Sequence, residues 1–93
     1  MTKSDLIENV AAKEFGWRKV HVEGVVNTIF GAMSDALVAG DRIEIRGLGS
    51  FHVKDRMPRI GRNPKTGDTV DIPAHKVPIF TAGKHLRAHV RSL

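Results

Sequence analysis

Cysteine is absent from the 93-residue chain, which excludes disulfides and thiolate metal sites as supports for the fold. Tyrosine is absent too, and the aromatic side chains are four Phe and one Trp. No segment reaches the roughly 18 apolar residues of a membrane span, and the N-terminus lacks the apolar centre of a signal peptide. We therefore expect a cytoplasmic protein that relies on apolar packing and needs no cofactor.

Acidic residues become scarce in the second part of the chain. Residues 1–41 carry four Lys/Arg against six Asp/Glu, a net charge of −2, whereas residues 42–93 carry eleven against four, a net charge of +7. Such asymmetry favours a polyanionic partner, and nucleic acid is a more common one than a membrane surface for a small domain. Charge alone leaves that choice open, because many basic proteins bind no anion specifically.

The segment 56–73 is too basic and too poor in apolar side chains to enter the core of a small domain. Its centre, residues 63–67, begins Asn-Pro and ends in Gly, which is typical of a chain reversal because proline fixes φ and glycine tolerates positive φ. Proline cannot donate to a sheet ladder, so Pro58 and Pro73 suit a two-stranded ribbon with free edges. The segment predicts a protruding β-hairpin arm.

Two amphipathic helices are predicted ahead of the arm. Thr2, with Asp5 three residues later, forms a capping-box pattern that starts a helix over residues 3–14. A second helix is predicted from 19 to 40, and its apolar stripe is wide enough to cover its own sheet and contact a partner copy. We therefore expect a dimer; a fully intramolecular core is the alternative.

Strict alternation over residues 42–46 predicts a strand whose isoleucines face the helices. A second strand leads into the arm, and residues 76–80 return from it. Thr81 is then expected to cap a last helix over 82–92. The predicted fold is α+β, with two N-terminal helices, a three-stranded antiparallel sheet with a long protruding β-ribbon arm, and a C-terminal helix. We expect a single domain, with its body at 1–55 and 74–93 and its arm at 56–73.

Three short motifs follow one another along the chain: Gly-Leu-Gly-Ser-Phe at 47–51, Gly-Arg-Asn-Pro-Lys-Thr-Gly at 61–67 and Phe-Thr-Ala-Gly-Lys at 80–84. In this order they resemble the bacterial histone-like HU and integration host factor family. The resemblance covers the whole chain, and the combination is far more specific than any one motif. Residues 42–47 and 63–68 are most similar to the beta branch of integration host factor, with HU as the alternative.

The resemblance implies an intertwined dimer whose arms follow the minor groove of double-stranded DNA and bend it. Proteins of this family are established examples of minor-groove binders that wedge apolar side chains between base pairs. On this chain the wedge would be Pro64, whose rigid apolar ring has no amide hydrogen that insertion would leave unsatisfied. The other arm residues implied in DNA binding are Arg56, Arg59, Arg62, Asn63 and Lys65.

The body would have to hold the flanks of the kinked duplex, because each unstacked step costs about a few kcal/mol. Glu44 is expected to orient Arg42 and Arg46 towards the flanking minor groove; a plain row of surface ion pairs is the alternative. The N-termini of the first and last helices offer free amides to phosphates. The expected phosphate ligands of the body are Lys3, Lys76, Lys84 and Arg87.

No catalytic constellation accompanies the histidines, so we predict neither an enzyme nor a small-molecule substrate. His85 and His89 are interpreted as solvated helix residues, because a third metal ligand is missing. The leading function is architectural DNA bending in nucleoid organisation, recombination, replication and transcription. The alternatives are an HU-type DNA or RNA coating protein with little sequence preference and a module that pairs its arm with a protein strand. Homodimer and heterodimer both remain open.

Overall fold

The computed structural model describes residues 1–13 and 16–93. The order of helices and strands in these residues confirms the predicted α+β fold. Residue 14, the last of the predicted first helix, lies outside the described residues. The chain divides into two compact units, Met1–Asp35 and Ala36–Leu93. The elements are α1 (Lys3–Lys13), α2 (Lys19–Val38), β1 (Ile43–Ile45), β2 (Gly49–Arg56), β3 (Arg59–Arg62), β4 (Thr69–Ile72), β5 (His75–Ala82) and α3 (Lys84–Arg91).

The N-terminus of α1 is closed by the predicted capping box. The Thr2 amide donates to Asp5 Oδ2 at 2.9 Å, and the Asp5 amide donates to Thr2 Oγ1 at 3.2 Å. The first amides of a helix have no partner within it, so these two bonds satisfy donors that would otherwise need water. Local spacing alone was therefore sufficient to predict where α1 begins.

The first unit has a small core and a large exposed apolar face. Among the described residues of this unit, the buried side chains are Ile7 from α1, and Val22 and Val26 from α2. A face as apolar as the one left exposed is what the predicted partner copy requires. The exposed face consists of Trp17, Val20, Val25, Ile29 and Phe30, each between 39% and 64% exposed.

The chain leaves α2 through a Schellman turn. Gly40 has φ of 86°, in the left-handed region that favours glycine. Its amide donates to the Leu37 carbonyl at 3.0 Å, and the Asp41 amide donates to the Ala36 carbonyl at 2.8 Å. The regular helix therefore ends at Val38, two residues before the predicted end, because the capping turn occupies the residues that follow.

Strands β1, β2 and β5 form the predicted three-stranded antiparallel sheet, and their order is β1-β2-β5. Phe51 lies opposite Ile43 on one side and Phe80 on the other, so these three side chains share a face. The two phenylalanine rings lie 4.7 Å apart between centroids and are tilted by 46°. This aromatic pair fastens β2 to β5 where both strands are half-covered.

Thr81 does not cap the last helix, which corrects the sequence prediction. It lies in β5 opposite Ser50, and the pairing of β5 with β2 continues to Ala82 opposite Gly49. The chain can turn only after that pair, so α3 begins at Lys84 with Gly83 as its N-cap and no side-chain capping bond. A pairing partner distant in sequence thus overrides a local capping preference.

The arm is a separate two-stranded ladder, which confirms the predicted hairpin. Strands β3 and β4 pair from Arg59 opposite Ile72 to Arg62 opposite Thr69. The body ladder ends at Arg56 opposite His75, so Arg56 belongs to β2. The two ladders are interrupted at residues 57–58 and 73–74, where the prolines predicted to border the arm lie.

Gly49 is expected to tolerate a side chain far less well than Gly47. An added Cβ at Gly49 would meet the Thr81 carbonyl oxygen and lie 2.9 Å from Phe80 Cζ, whereas at Gly47 it would meet nothing within 4 Å. Gly47→Ala should cost about 1–2 kcal/mol, because Gly47 has φ of 87°. Gly49→Ala should lower the free energy of unfolding, measured in urea, by more than Gly47→Ala does, since β5 must move to admit the new side chain. Equal losses would contradict this packing.

Candidate nucleic-acid interface

The turn that joins β3 to β4 is organised by Asn63. The Asn63 amide donates to the Asp68 carbonyl at 2.9 Å, and the Asn63 carbonyl accepts from the Gly67 amide at 2.7 Å. The Asn63 side-chain oxygen accepts from the Lys65 amide at 2.9 Å. Asn63 was predicted to contact DNA, and the structure adds that its backbone and side chain fix the shape of the tip.

Pro64 is the residue that this turn presents. It lies between Asn63 and Lys65 and is exposed. Its ring cannot rotate about φ, and the hydrogen bonds on either side restrict its neighbours. Arg62 Nη1 also donates to the Gly67 carbonyl, at 3.4 Å, which ties the end of β3 to the far side of the turn. The tip thus holds a rigid apolar ring in one position.

The ribbon carries a cation on each face. Arg59 lies opposite Ile72 and shares its face with Gly61, because side chains alternate along a strand. Ile72 covers Gly61 so closely that an added Cβ there would lie 2.9 Å from Ile72 Cδ1. Arg62 lies on the other face, with Asp71. If the ribbon entered a groove of duplex DNA, its two faces could therefore place an arginine against each wall of that groove.

A groove of about 540 Å³ lies beside the N-terminus of α3, on the face of the body sheet that carries Glu44, Ser50 and Thr81. Since Gly83 offers no side-chain cap, the first amides of α3 remain available to a ligand there. Four predicted DNA ligands are brought together in this groove, although they come from two distant parts of the sequence. The side chains lining it include Arg42, Glu44, Arg46, Ser50, Thr81, Lys84 and His85.

Glu44 holds one of its two arginine neighbours. Arg42 Nε donates to Glu44 Oε1 at 3.0 Å, and Arg42 Nη2 donates to Ser50 Oγ at 3.3 Å. Within residues 1–13 and 16–93, Arg46 makes no ion pair with Glu44, so the described contacts of Glu44 fix Arg42 and not Arg46. The reason is that β1 ends at Ile45, which leaves Arg46 in the turn before Gly47.

Lys76, a predicted phosphate ligand, is engaged by another residue. Its Nζ lies 2.7 Å from Asp55 Oδ1, across the last part of the β2–β5 ladder. Both side chains are mostly exposed, and an exposed ion pair contributes little to stability. The carboxylate nevertheless occupies one of the three donors of the Lys76 ammonium and offsets its charge, which weakens a contact of Lys76 with a phosphate.

The remaining predicted ligands lie outside the groove. Lys3 is the first residue of α1, in the other compact unit, and Arg87 lies exposed on α3 one turn beyond Lys84. The sequence analysis missed Ser50 and His85. Alternation in β2 could have placed Ser50 beside Glu44, whereas the position of His85 depends on where β5 ends.

Residues 1–91 match the model of a family described as bacterial DNA-binding protein. The chain belongs to the HU and integration host factor family. A family model that spans nearly the whole chain confirms DNA as the partner. It also confirms that the protein is a DNA-binding factor rather than an enzyme.

Two curated relatives and one solved structure illustrate how near the chain lies to known members. It is 50% identical over 93 residues to integration host factor subunit beta of Methylococcus capsulatus, and the alignment covers all of this chain and 98% of the relative. It is 52% identical to the same subunit of Thioalkalivibrio sulfidiphilus, covering 100% and 97%. The Anabaena HU–DNA cocrystal structure matches with a TM-score of 0.87 at 37% identity, covering 97% of each chain.

The groove and the arm tip lie within the part of the chain that the family model matches. Among the described residues, no helix is long and apolar enough to cross a bilayer. Membership of the HU and integration host factor family accounts for the basic half of the sequence.

Asp55→Asn is expected to tighten DNA binding by about two- to fivefold, because it releases Lys76 from its ion pair. The measurement is a duplex titration by fluorescence anisotropy. Glu8→Gln is the matched control, since it removes the same charge and breaks the 3.0 Å pair between Lys19 Nζ and Glu8 in the other unit. Equal gains for both variants would show that only net charge matters.

Proposed function

We propose that this protein is an architectural DNA-binding protein that acts as a dimer and bends duplex DNA by inserting Pro64 between base pairs. The observation that supports the wedge is the tip itself, where Asn63 fixes a turn around an exposed proline. The turn sits at the end of a ladder separate from the body sheet. A preorganised wedge avoids the entropy cost of ordering a loop on binding.

The groove on the body sheet supplies the second part of the proposed mechanism. Unstacking a base step costs about a few kcal/mol, and contacts with the bent flanks can offset that cost. Arg46 and Lys84 line the groove beside the open amides of α3, which is an arrangement suited to phosphate oxygens. The proposed flank ligands outside it are Lys3, Lys76 and Arg87.

Within the family, integration host factor is favoured over an HU-type coating protein. The curated relatives at about 50% identity over the full chain are integration host factor beta subunits. We further propose a preference for particular flanking sequences, supported by the Arg42 side chain. Its bonds to Glu44 and Ser50 fix the guanidinium, and a fixed cation distinguishes grooves of different width.

We infer that the protein works in the bacterial nucleoid, in the cytoplasm. The wedge and the groove require only duplex DNA, which fits roles in nucleoid organisation, recombination, replication and transcription control. The partner in the dimer is a second copy or a related chain. Native mass measurement of the purified protein, alone and with duplex, distinguishes these assemblies.

Pro64→Ala is expected to reduce the DNA bend far more than the affinity. Alanine is smaller and leaves the backbone free to rotate, so it cannot hold a base step open, while the phosphate contacts persist. The bend is measured by energy transfer between dyes at the two duplex ends, with affinity from the same titration. Pro58→Ala, at the root of the arm, is the matched control. An unchanged end-to-end distance with Pro64→Ala would refute the wedge.

Salt should weaken binding steeply. If a dimer neutralises about eight phosphates, the logarithm of the association constant should fall against the logarithm of salt concentration with a slope near −7. Duplex titrations at salt concentrations between about 50 and 200 mM would measure this slope, because the affinity of DNA-binding proteins falls strongly over roughly that range. A shallow slope would favour strand pairing of the arm with a protein instead.

A further inference from the structure

The groove beside α3 contains one side chain whose charge can change near neutral pH. Histidine is the residue that ordinarily gains or loses its proton between about pH 5 and 8. His85, the second residue of α3, is exposed, as expected of a solvated helix residue, and it lines the groove. The structure therefore places a proton-accepting group among the proposed phosphate ligands.

The charges around His85 leave the groove cationic. Arg42 and Glu44 form an ion pair, so their charges largely offset each other. Arg46 and Lys84 add two positive charges, and β2 and β5 contribute Ser50 and Thr81, which do not titrate. His85 has no acidic neighbour on α3, where every titratable residue is basic or histidine. A proton on His85 thus adds a third uncompensated cation to this groove.

We propose that His85 is a DNA ligand that binds a backbone phosphate in its protonated form, so that the body holds DNA flanks more tightly as pH falls. An imidazolium can donate to a phosphate oxygen as well as attract it, and such charge-assisted bonds are stronger than neutral ones. Because the protonated groove binds phosphate more tightly, DNA binding and proton uptake are linked. This inference depends on the proposed function, since it needs DNA in the groove.

His89 provides the matched control. It lies one turn beyond His85 on α3 and does not line the groove. His85→Gln and His89→Gln remove the same side chain from the same helix, one inside the groove and the other outside it. A third variant, His85→Lys, keeps a positive charge at every pH of the experiment.

The experiment measures affinity for two duplexes between about pH 6 and 8.5 at constant ionic strength. One duplex has flanks long enough to reach the body grooves of a bent complex, and the other ends just beyond the two wedge sites. On the long duplex the wild type should gain about two- to fivefold per groove as pH falls, the range of a single exposed charge pair. His85→Gln should lose this gain and His89→Gln should keep it. His85→Lys should bind as tightly at pH 8.5 as at pH 6.

Several results would overturn the inference. Equal pH dependence in His85→Gln and the wild type would remove His85 from the site. Equal losses in both glutamine variants would show a general charge effect, and an equal pH effect on the short duplex would place the titrating group at the arms. A wild type that binds the long duplex with equal affinity at every pH, yet still bends it, would refute the proton linkage and leave the proposed function intact. Failure to bend DNA at any pH would refute the proposed function itself.

Discussion

The antiparallel ladder between β2 and β5 is the constraint on which the rest of the structure depends. It runs from Gly49 opposite Ala82 to Arg56 opposite His75, so one continuous register connects the two ends of the proposed DNA interface. At the first end the ladder fixes where α3 can begin and thus which residues of that helix enter the groove. At the other end it delivers both strands to the root of the arm. The tilted ring pair of Phe51 and Phe80 holds the register near the groove end.

Two kinds of rigidity are combined in the interface. The tip is shaped by short-range hydrogen bonds within residues 63–68, which need no support from the body. The groove is assembled by long-range pairing, because Arg42 and Lys84 are brought to one site only when three strands align. In the proposed mechanism, the tip shaped by local hydrogen bonds inserts into DNA, and the groove built by long-range pairing holds the flanks.

Local patterns in the sequence were sufficient where neighbouring residues decide the structure. Thr2 with Asp5 predicted the start of α1, and the Asn-Pro and Gly of residues 63–67 predicted the turn. The predicted helix cap at Thr81 was wrong, because Thr81 pairs in the sheet with Ser50, some thirty residues earlier in the chain. The same pairing decides that His85 lines the groove, so no helical periodicity could have revealed it.

The chain's charge pattern predicted a polyanion, yet it could not show which cations are already engaged. Lys76 has a carboxylate partner and Arg42 is held by Glu44, whereas Arg46 lies in a turn beyond the end of its strand. Spacing suggested that Glu44 would serve both arginines symmetrically. The short length of β1 breaks that symmetry, and strand length depends on where the partner strand begins. Net charge thus overstates the number of cations that are ready to bind.

Because the two ladders are interrupted at the root of the arm, a small rotation there produces a larger displacement of the tip. Residues 57–58 and 73–74 pair with neither ladder, while Pro64 lies six residues beyond Pro58. At about 3.3 Å per extended residue, the tip is roughly 20 Å from its root. A rotation of about 10° there displaces the proline ring by about 3.5 Å, close to the rise of about 3.4 Å between successive bases. In the proposed mechanism, a rotation of this size would carry the ring from one base step to the next while the turn that holds it keeps its shape.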